Sequence, residues 1–350
     1  MVKQRYKNLP FYIFSISLDD FIIIEAIFKM NENQIVVTIR CLTYNHEPYI
    51  RQCLDGFVMQ KTNFKFEAIV HDDASTDGTA SIIREYAEKY PDIIKPIFET
   101  ENQYSKKDGS LGRIMDAHTR GKYVAMCEGD DYWTDPLKLQ KQVDFLESHP
   151  EYVMCSHRHN TFIQKSGNFK DNECFGETDY DLKTLINGES HFQTLTILYR
   201  RSALNIADYN KHKMRIDIVL IYELLKNGGK GHCFSERMGV YRYQPGGIWS
   251  AVSTDKRLDL CVSAVVDIYD CERSNDAAKY LMMQFANPMS RKWMWKRRRM
   301  WIKISRILCK HFGLKYTISI LLNKLLFNRY LSIEKCTKPV GGIKSSKLIQ

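Results

Sequence analysis

Three carboxylates fall within four residues at Glu128-Gly129-Asp130-Asp131, directly after the apolar, β-favouring run Tyr123-Val124-Ala125-Met126-Cys127. Carboxylates crowded in this way repel one another unless a cation or a hydrogen-bond network compensates. Hard oxygen ligands suit Mg²⁺ or Mn²⁺, ions that keep several waters and bridge to substrate phosphates. Asp135 has the side chain of a good N-cap and Pro136 suits a first helical position, so a helix is expected to begin there. Strand, acidic turn, helix places the charge at the carboxyl end of a strand, the edge where open α/β sheets bind ligands. An acidic surface turn is the plainer alternative, and spacing alone does not separate the two.

A second polar turn, Asp72-Asp73-Ala74-Ser75-Thr76-Asp77-Gly78-Thr79, follows the apolar run Phe66 to His71. Aspartates at a strand end can accept hydrogen bonds from nucleobase N–H groups or ribose hydroxyls. Helix capping by Asp72, Asp73, Ser75 or Asp77 would explain any one of them. For the whole set, beside a separate acidic strand end and the turn Thr43-Tyr44-Asn45, a nucleotide pocket is more economical.

The elements that must position these groups read as α/β. Ile35 to Leu42 is nearly continuously apolar and β-branched, as a buried parallel strand should be. Pro48 is placed to open a helix, in which Ile50, Leu54, Phe57 and Val58 recur at helical spacing. After the second strand, a helix carries Ile82, Ile83, Tyr86 and Ala87 on one face and stops before Pro91. A third strand spans about Ile93 to Phe98, and a helical segment runs near Leu111 to Thr119. This βαβαβ alternation implies a mainly parallel sheet with right-handed crossovers. The absence of GxGxxG after the first strand argues against a dinucleotide oxidoreductase. Residues 151–215 read as an acceptor-side half, with Phe192 to Tyr199 a strand. Arg215 to Leu220 then opens a helix with apolar residues at 218, 221, 224 and 225; Asp217 in its first turn suits the helix dipole.

The 350 residues are enough for one large or two ordinary domains, and 44% hydrophobic content is that of a globular protein. Ten cysteines without a CxxC pair read as reduced thiols in the cytoplasm. His157 and His159 face one side of a strand, with no third metal ligand beside them. Net charge is +10, but residues 277–350 hold 17 Lys/Arg against one acid, while the rest of the chain holds 34 basic and 40 acidic residues. A general nucleic-acid binder would not segregate charge in this way, so no nucleic-acid partner is expected.

With these motifs in hand, the chain resembles family 2 glycosyltransferases of the nucleotide-sugar-binding GT-A fold, of the bacterial surface-polysaccharide type. The likeness rests on the strand and TYN turn of residues 35–45, Asp-Asp-x-Ser-Thr-Asp-Gly at 72–78, and Glu-Gly-Asp-Asp-Tyr-Trp-x-Asp-Pro at 128–136. Residues 241–250, Tyr-Arg-Tyr-Gln-Pro-Gly-Gly-Ile-Trp-Ser, are similar to a further element of those enzymes. The chain departs from the pattern with Glu128 for the first aspartate of DxD, Cys41 for a proline and Gln244 for a histidine. The resemblance implies an inverting sugar transfer from a nucleotide-diphosphate sugar to a glycan or lipid-linked acceptor, assisted by Mg²⁺ or Mn²⁺. It makes Asp130 the metal ligand and Asp217 the general base. Thr43, Tyr44, Asn45, Asp72, Asp73, Ser75, Asp77, Glu128, Gly129, Asp131 and Trp249 would line the nucleotide-sugar. Gly246, Gly247 and Trp249 read as a lid, with core packing the alternative for Trp249. No Gln-x-x-Arg-Trp motif is present, which favours single sugar addition. A nucleotidyltransferase, or a catalytically silent binding protein of the same fold, are the competing functions; the first should carry a Gly-rich, basic phosphate loop, and the turn at 43–48 does not.

The domain organisation expected is an N-terminal extension over 1–33 that need not be native, a GT-A glycosyltransferase domain over 34–250, and a helical, basic, membrane-associating region over 251–350. Residues 1–29 are read as dispensable. In the basic region Trp301, Ile304, Leu308 and Phe312 share a helical face while Lys303, Arg306 and Lys310 lie away from it. Amphipathic helices with Trp and cations lie in membrane interfaces, so an anionic membrane partner at the inner face of the cell membrane is expected. An ordinary packed terminal helix is the alternative.

Overall fold

The computed structural model describes residues 34–170, 176–188, 192–244, 247, 252–286, 297–315 and 317–318. The expectations for residues 1–33, for Gly246 and Trp249, and for most of the tail beyond 318 lie outside them.

The β-branched run beginning at Ile35 forms β1 (Ile35–Thr43), followed by α1 (Ile50–Val58) and β2 (Lys65–Asp72). Next come α2 (Thr79–Lys89), β3 (Ile94–Phe98), a short α3 (Gln103–Lys106), α4 (Ser110–His118) and β4 (Tyr123–Met126). Beyond the acidic turn lie β5 (Tyr132–Trp133), α5 (Lys138–Ser148), β6 (Tyr152–Ile163), β7 (Asn168–Lys170), β8 (Thr178–Tyr180) and α6 (Leu182–Asn187). The chain continues through β9 (Leu198–Arg200), α7 (Ile206–Tyr209), α8 (Asp217–Leu225) and β10 (Lys230–Tyr243). Three helices close it: α9 (Thr254–Glu272), α10 (Asn275–Ala286) and α11 (Arg298–Phe312).

One sheet runs β3-β2-β1-β4-β9-β6-β10-β5, with β7 beside β6 and β8 beside β10. β3, β2, β1 and β4 are parallel, and β9 enters antiparallel to both β4 and β6. In this mixed α/β sheet, Thr43 and Asp72 are partners at the carboxyl ends of β1 and β2. Residues past β4 stay on the same edge, because Cys127 N–H donates to the Arg40 carbonyl and Gly129 N–H to that of Leu42. The acidic turn is therefore held along the end of β1.

Alternation along the strands divides two cores. Val37, Ile39, Cys41, Tyr123 and Ala125 face the first, with α1, α2 and α5. Val124 faces the second, built with α6, α8, α9, α10 and α11. The period-two geometry of a strand makes this division unavoidable once both faces are covered.

Two local expectations are corrected. The helix after the acidic turn starts at Lys138, not at Pro136, because Asp135 is engaged one turn earlier. Its Oδ1 accepts from Leu137 N–H at 2.8 Å and its Oδ2 pairs with Lys141, while Gln60 Oε1 takes Leu139 N–H. Within the expected strand Phe192 to Tyr199, residues Thr194–Thr196 form a 3₁₀ turn and the strand begins at Leu198. The Leu195 carbonyl is taken by Trp133 Nε1–H at 2.8 Å and the Gln193 carbonyl by Thr196 Oγ1–H, so neither joins a ladder.

A third correction concerns the basic region. Ile304, Ile307 and Leu308 of α11 are buried, with Met300, Trp301 and Phe312 packed on the same core. Each fully buried aliphatic side chain stabilises by about 1.5–3 kcal/mol. The apolar face of α11 is thus spent on the protein, and Arg297 and Lys303 pair with Asp259 and Asp270 of α9. Arg298, Arg299, Arg306, Lys310 and Lys315 remain on the exposed side. Among the described residues no helix is long and apolar enough to cross a membrane.

Candidate active site

Two turns at the ends of β1 and β2 interlock. Asn45 N–H donates to Ser75 Oγ at 2.9 Å, and Thr76 N–H returns a bond to Asn45 Oδ1 at 2.8 Å. Glu47 N–H donates to Asp77 Oδ2, while Glu47 Oε2 accepts from Gly78 N–H. His46 N–H reaches Thr79 Oγ1 at 2.8 Å. Asn45 and Ala74 both have positive φ, 54° and 63°. Left-handed backbone is costly for alanine, and the cross-bracing is what holds Ala74 there.

The aspartates of this cradle are saturated with donors. Asp72, 3% exposed, accepts from Thr43 Oγ1 and from Ser75 through both N–H and Oγ. Asp73 accepts from Gln103 N–H at 2.6 Å and Tyr104 N–H at 3.0 Å, at the start of α3. Each of its carboxylate oxygens thus carries one backbone N–H, which ties this end of β2 to α3. Asp77 accepts from the N–H and hydroxyl of Thr79, opening α2. Burial opposes its charge, but these donors win and hold its carboxyl below the ordinary range. Tyr44 stands exposed at the rim.

The acidic turn has the opposite character. Burial and the neighbouring Asp130 push the Glu128 carboxyl up to about 8, with Asp217 adding to the repulsion. Burial and Asp130 also push Asp131 well up, although Arg242 N–H donates to its Oδ1 at 2.7 Å. Asp131 is thus an internal anchor, only 3% exposed. Asp130 is half-buried, and its Oδ2 accepts from Gln244 Nε2–H at 2.9 Å. At Gly129 a β-carbon would stand 2.6 Å from the Thr43 methyl and 2.9 Å from His46 Nδ1. Only glycine lets this turn lie against the cradle.

Asp217 sits in the first turn of α8, half-buried, with Ile218 N–H on its Oδ1 at 2.8 Å. Burial raises its carboxyl above the ordinary value. Its field reaches Glu128, so the fold brings this acid to the acidic turn across nearly ninety residues of sequence.

Several residues here were given no role by the sequence. Arg242 is the clamp of the turn. It donates to the Asp130 carbonyl at 2.8 Å, to Gln164 at 2.8 Å and to Gln52 at 2.6 Å, and lies over the rings of Tyr49, Tyr132 and Phe162. His46 presents a buried Nδ1 with no hydrogen-bond partner, and burial holds its imidazole below the ordinary value despite Asp130, Asp77 and Asp72 nearby. Arg40 pairs with Asp116 of α4 at 2.8 Å, and Arg215, two residues before Asp217, approaches the same carboxylate at 3.5 Å. The motif Tyr241 to Gln244 pointed at this strand; the partners of Arg242 are separated from it by up to 190 positions and only folding reveals them.

The chain is similar to several known proteins. An uncharacterized protein of Mycobacterium tuberculosis is 40% identical over 224 residues, 63% of this chain and 62% of that one. The chain spans just under two thirds of the length of these curated relatives. A Bacillus subtilis protein named as the glycosyltransferase EpsE is 39% identical over 110 residues, 31% of this chain and 37% of its own. In fold, the chain is similar to Staphylococcus aureus TarS residues 1–349, solved in complex with UDP-GlcNAc. The TM-score is 0.59 at 17% identity, over 83% of this chain and 85% of that one. The sequence model described as glycosyl transferase family 2 matches residues 39–206, which include the cradle, the acidic turn and β9. Over that segment, just under half of the chain, the sequence is similar to glycosyl transferase family 2.

Proposed function

We propose that the chain transfers a sugar, with inversion, from a nucleotide-diphosphate sugar to a hydroxyl of a glycan or lipid-linked acceptor in surface-polysaccharide synthesis. One observation carries this reading. A donor-saturated cradle, a turn of crowded carboxylates and a separate half-buried aspartate meet at one sheet edge.

The cradle of residues 43–45 and 72–77 would receive the nucleoside, with the Tyr44 ring as a stacking surface and Asp72 and Asp77 fixing its walls. The acidic turn fits a hard divalent ion. Its carboxylates repel one another, as the raised Glu128 and Asp131 report, and Asp130 keeps one oxygen outside its bond to Gln244. Asp130 would hold Mg²⁺ or Mn²⁺, with Glu128 alongside. Such an ion supplies stabilisation of the negative charge that gathers on the departing diphosphate. Gln244 and Arg242 keep Asp130 aimed, and the backbone of residues 127–129 keeps the turn against β1.

Asp217 would accept the proton of the acceptor hydroxyl as its oxygen attacks the anomeric carbon. The bond from that carbon to the diphosphate oxygen breaks, releasing a nucleoside diphosphate. A carboxyl raised by burial is a better base near neutral pH than an ordinary one. The exposed cations of α11 would hold the enzyme at the inner face of the cell membrane, near a lipid-linked acceptor, each basic residue at such a surface contributing ~1 kcal/mol. With its apolar face buried, this attachment is electrostatic.

The test is to incubate the chain with a panel of nucleotide sugars, acceptor lipids or glycans, and Mn²⁺ or Mg²⁺, and to measure free nucleoside diphosphate and glycosylated product. Pyrophosphate release would instead make it a nucleotidyltransferase. Tight donor binding without any turnover would make it a silent binding protein.

A further inference from the structure

Away from the sheet edge, a second group of chemically capable side chains sits where the loop leading to Asp217 meets α9. His212 lies in that loop. Asp267 and Cys271 lie four residues apart on α9, and therefore on one helical face. His212 Nδ1, an Asp267 oxygen and Cys271 Sγ all fall within 4.8 Å of one another, and Nδ1 stands 3.5 Å from Asp267 Oδ2. The two buried members are fixed. The His212 side chain is 1% exposed and that of Asp267 is 9% exposed. Cys271 is exposed, and its Sγ approaches the Lys211 carbonyl at 3.7 Å.

Three features point to a ligand here. First, His212 Nδ1 is buried without a hydrogen-bond partner and is aimed at the other two groups. Second, the opposite ring nitrogen is already held: Nε2 lies 2.9 Å from Glu223 Oε1. A carboxylate behind one imidazole nitrogen orients the ring and raises the basicity of the other, as it does for histidines that bind metals. Asp267 is supported likewise, by the backbone N–H groups of Lys213 and Met214 on Oδ2. Third, acidic charge collects here: Glu223 and Glu272 share Lys226, at 2.8 and 2.5 Å, and Asp267 faces His212 at 3.5 Å.

We propose that His212 Nδ1, Asp267 and Cys271 Sγ form a binding site for a thiophilic divalent cation, Zn²⁺ in the first instance. Nitrogen, carboxylate and thiolate donors are the set such an ion takes, with ligand atoms about 3.3–3.8 Å apart around a tetrahedral centre. The N–O separation already matches, and the exposed Cys271 has the freedom to close on the third position. Bound there, the ion ties the 211–214 loop to α9 five residues before Asp217, so it acts as a staple behind the acceptor side. It takes no part in the chemistry at the acidic turn. A proton is the competitor for Nδ1, since Glu223 and Asp267 also favour an imidazolium. Metal loading is therefore expected to release a proton and to tighten as pH rises.

The experiment uses the full chain, stripped with chelator and titrated with Co²⁺ and then Zn²⁺. One equivalent of Co²⁺ should produce the near-ultraviolet thiolate-to-cobalt absorption, and Zn²⁺ should abolish it. Cys271→Ser, at an exposed position, should remove the band. His212→Gln should weaken Zn²⁺ by at least about a hundredfold, more than loss of an outer partner costs. Asp130→Ala should leave the band unchanged, which separates this site from the proposed catalytic ion and makes the result independent of any activity. Absence of the thiolate band in the folded wild-type chain, or its persistence in Cys271→Ser, would overturn the proposal and leave His212 as an imidazolium between two carboxylates.

Discussion

Two sets of acids stand at the same sheet edge and differ in how their charge is met. Asp72, Asp73 and Asp77 are surrounded by backbone N–H groups and hydroxyls, and Asp77 is held below the ordinary carboxyl range. Glu128, half-buried, and Asp131, buried, stand beside Asp130 and are pushed upward. The first set builds a rigid cradle and its charge is used up in doing so. The second holds its charge in reserve as bound protons, clamped in place by Arg242 and Gln244 and ready to be released to a cation. An acid-rich motif in a sequence does not distinguish these uses; the count of donors around each carboxylate does.

Removing the reserved charge should have the largest effect. Asp130→Ala is expected to lower turnover by at least about 10³-fold, the scale of several kcal/mol of charge stabilisation, while circular dichroism stays unchanged. Wild-type turnover with the same metal dependence would place the ion elsewhere. Asp217→Asn is expected to cost ~10²–10⁴ in turnover yet leave donor binding intact by calorimetry. Weak donor binding with preserved turnover would reverse that assignment.

Glu128 sharpens the comparison through pH. With its carboxyl near 8 rather than the ordinary 4.5, the folded chain binds more protons than the unfolded one across that interval. Stability should therefore fall as pH rises from about 4.5 toward 8. Thermal melts of the metal-free chain should show this slope, and Glu128→Gln should flatten it; an equal slope in both would remove Glu128 as its source. Asp73→Ala tests the other set. It should cost about 1–2 kcal/mol of stability by denaturant melting, as loss of a cap does, and change turnover only a few-fold. A large loss of donor affinity at unchanged stability would return Asp73 to the nucleotide.

The smallest effect concerns the tail. Replacing Arg298, Arg299 and Arg306 by glutamate should weaken pelleting with anionic vesicles and leave neutral vesicles unaffected. Equal pelleting of both proteins would rule out these cations as the attachment. Truncation before α11 is a poorer test, because Ile304, Ile307 and Leu308 belong to the core.

Periodicity and turn chemistry in the sequence determined the parallel core of the sheet, the helices between its strands, and the position of both acidic turns at strand ends. These depend on residues close together in the chain. β-branched runs favour strands, spaced apolar residues favour helices, and Asn45, Asp77 and Gly129 serve local geometry. Tertiary structure decided which carboxylates have their charge met by donors and which are pushed toward the neutral acid, because their partners come from distant parts of the chain: Arg242 for Asp131, Gln244 for Asp130, the start of α3 for Asp73. It also decided the fate of α11. An amphipathic pattern states that one face is to be buried but not against what, and here the core around α8, α9 and α10 took the face that a membrane could have taken.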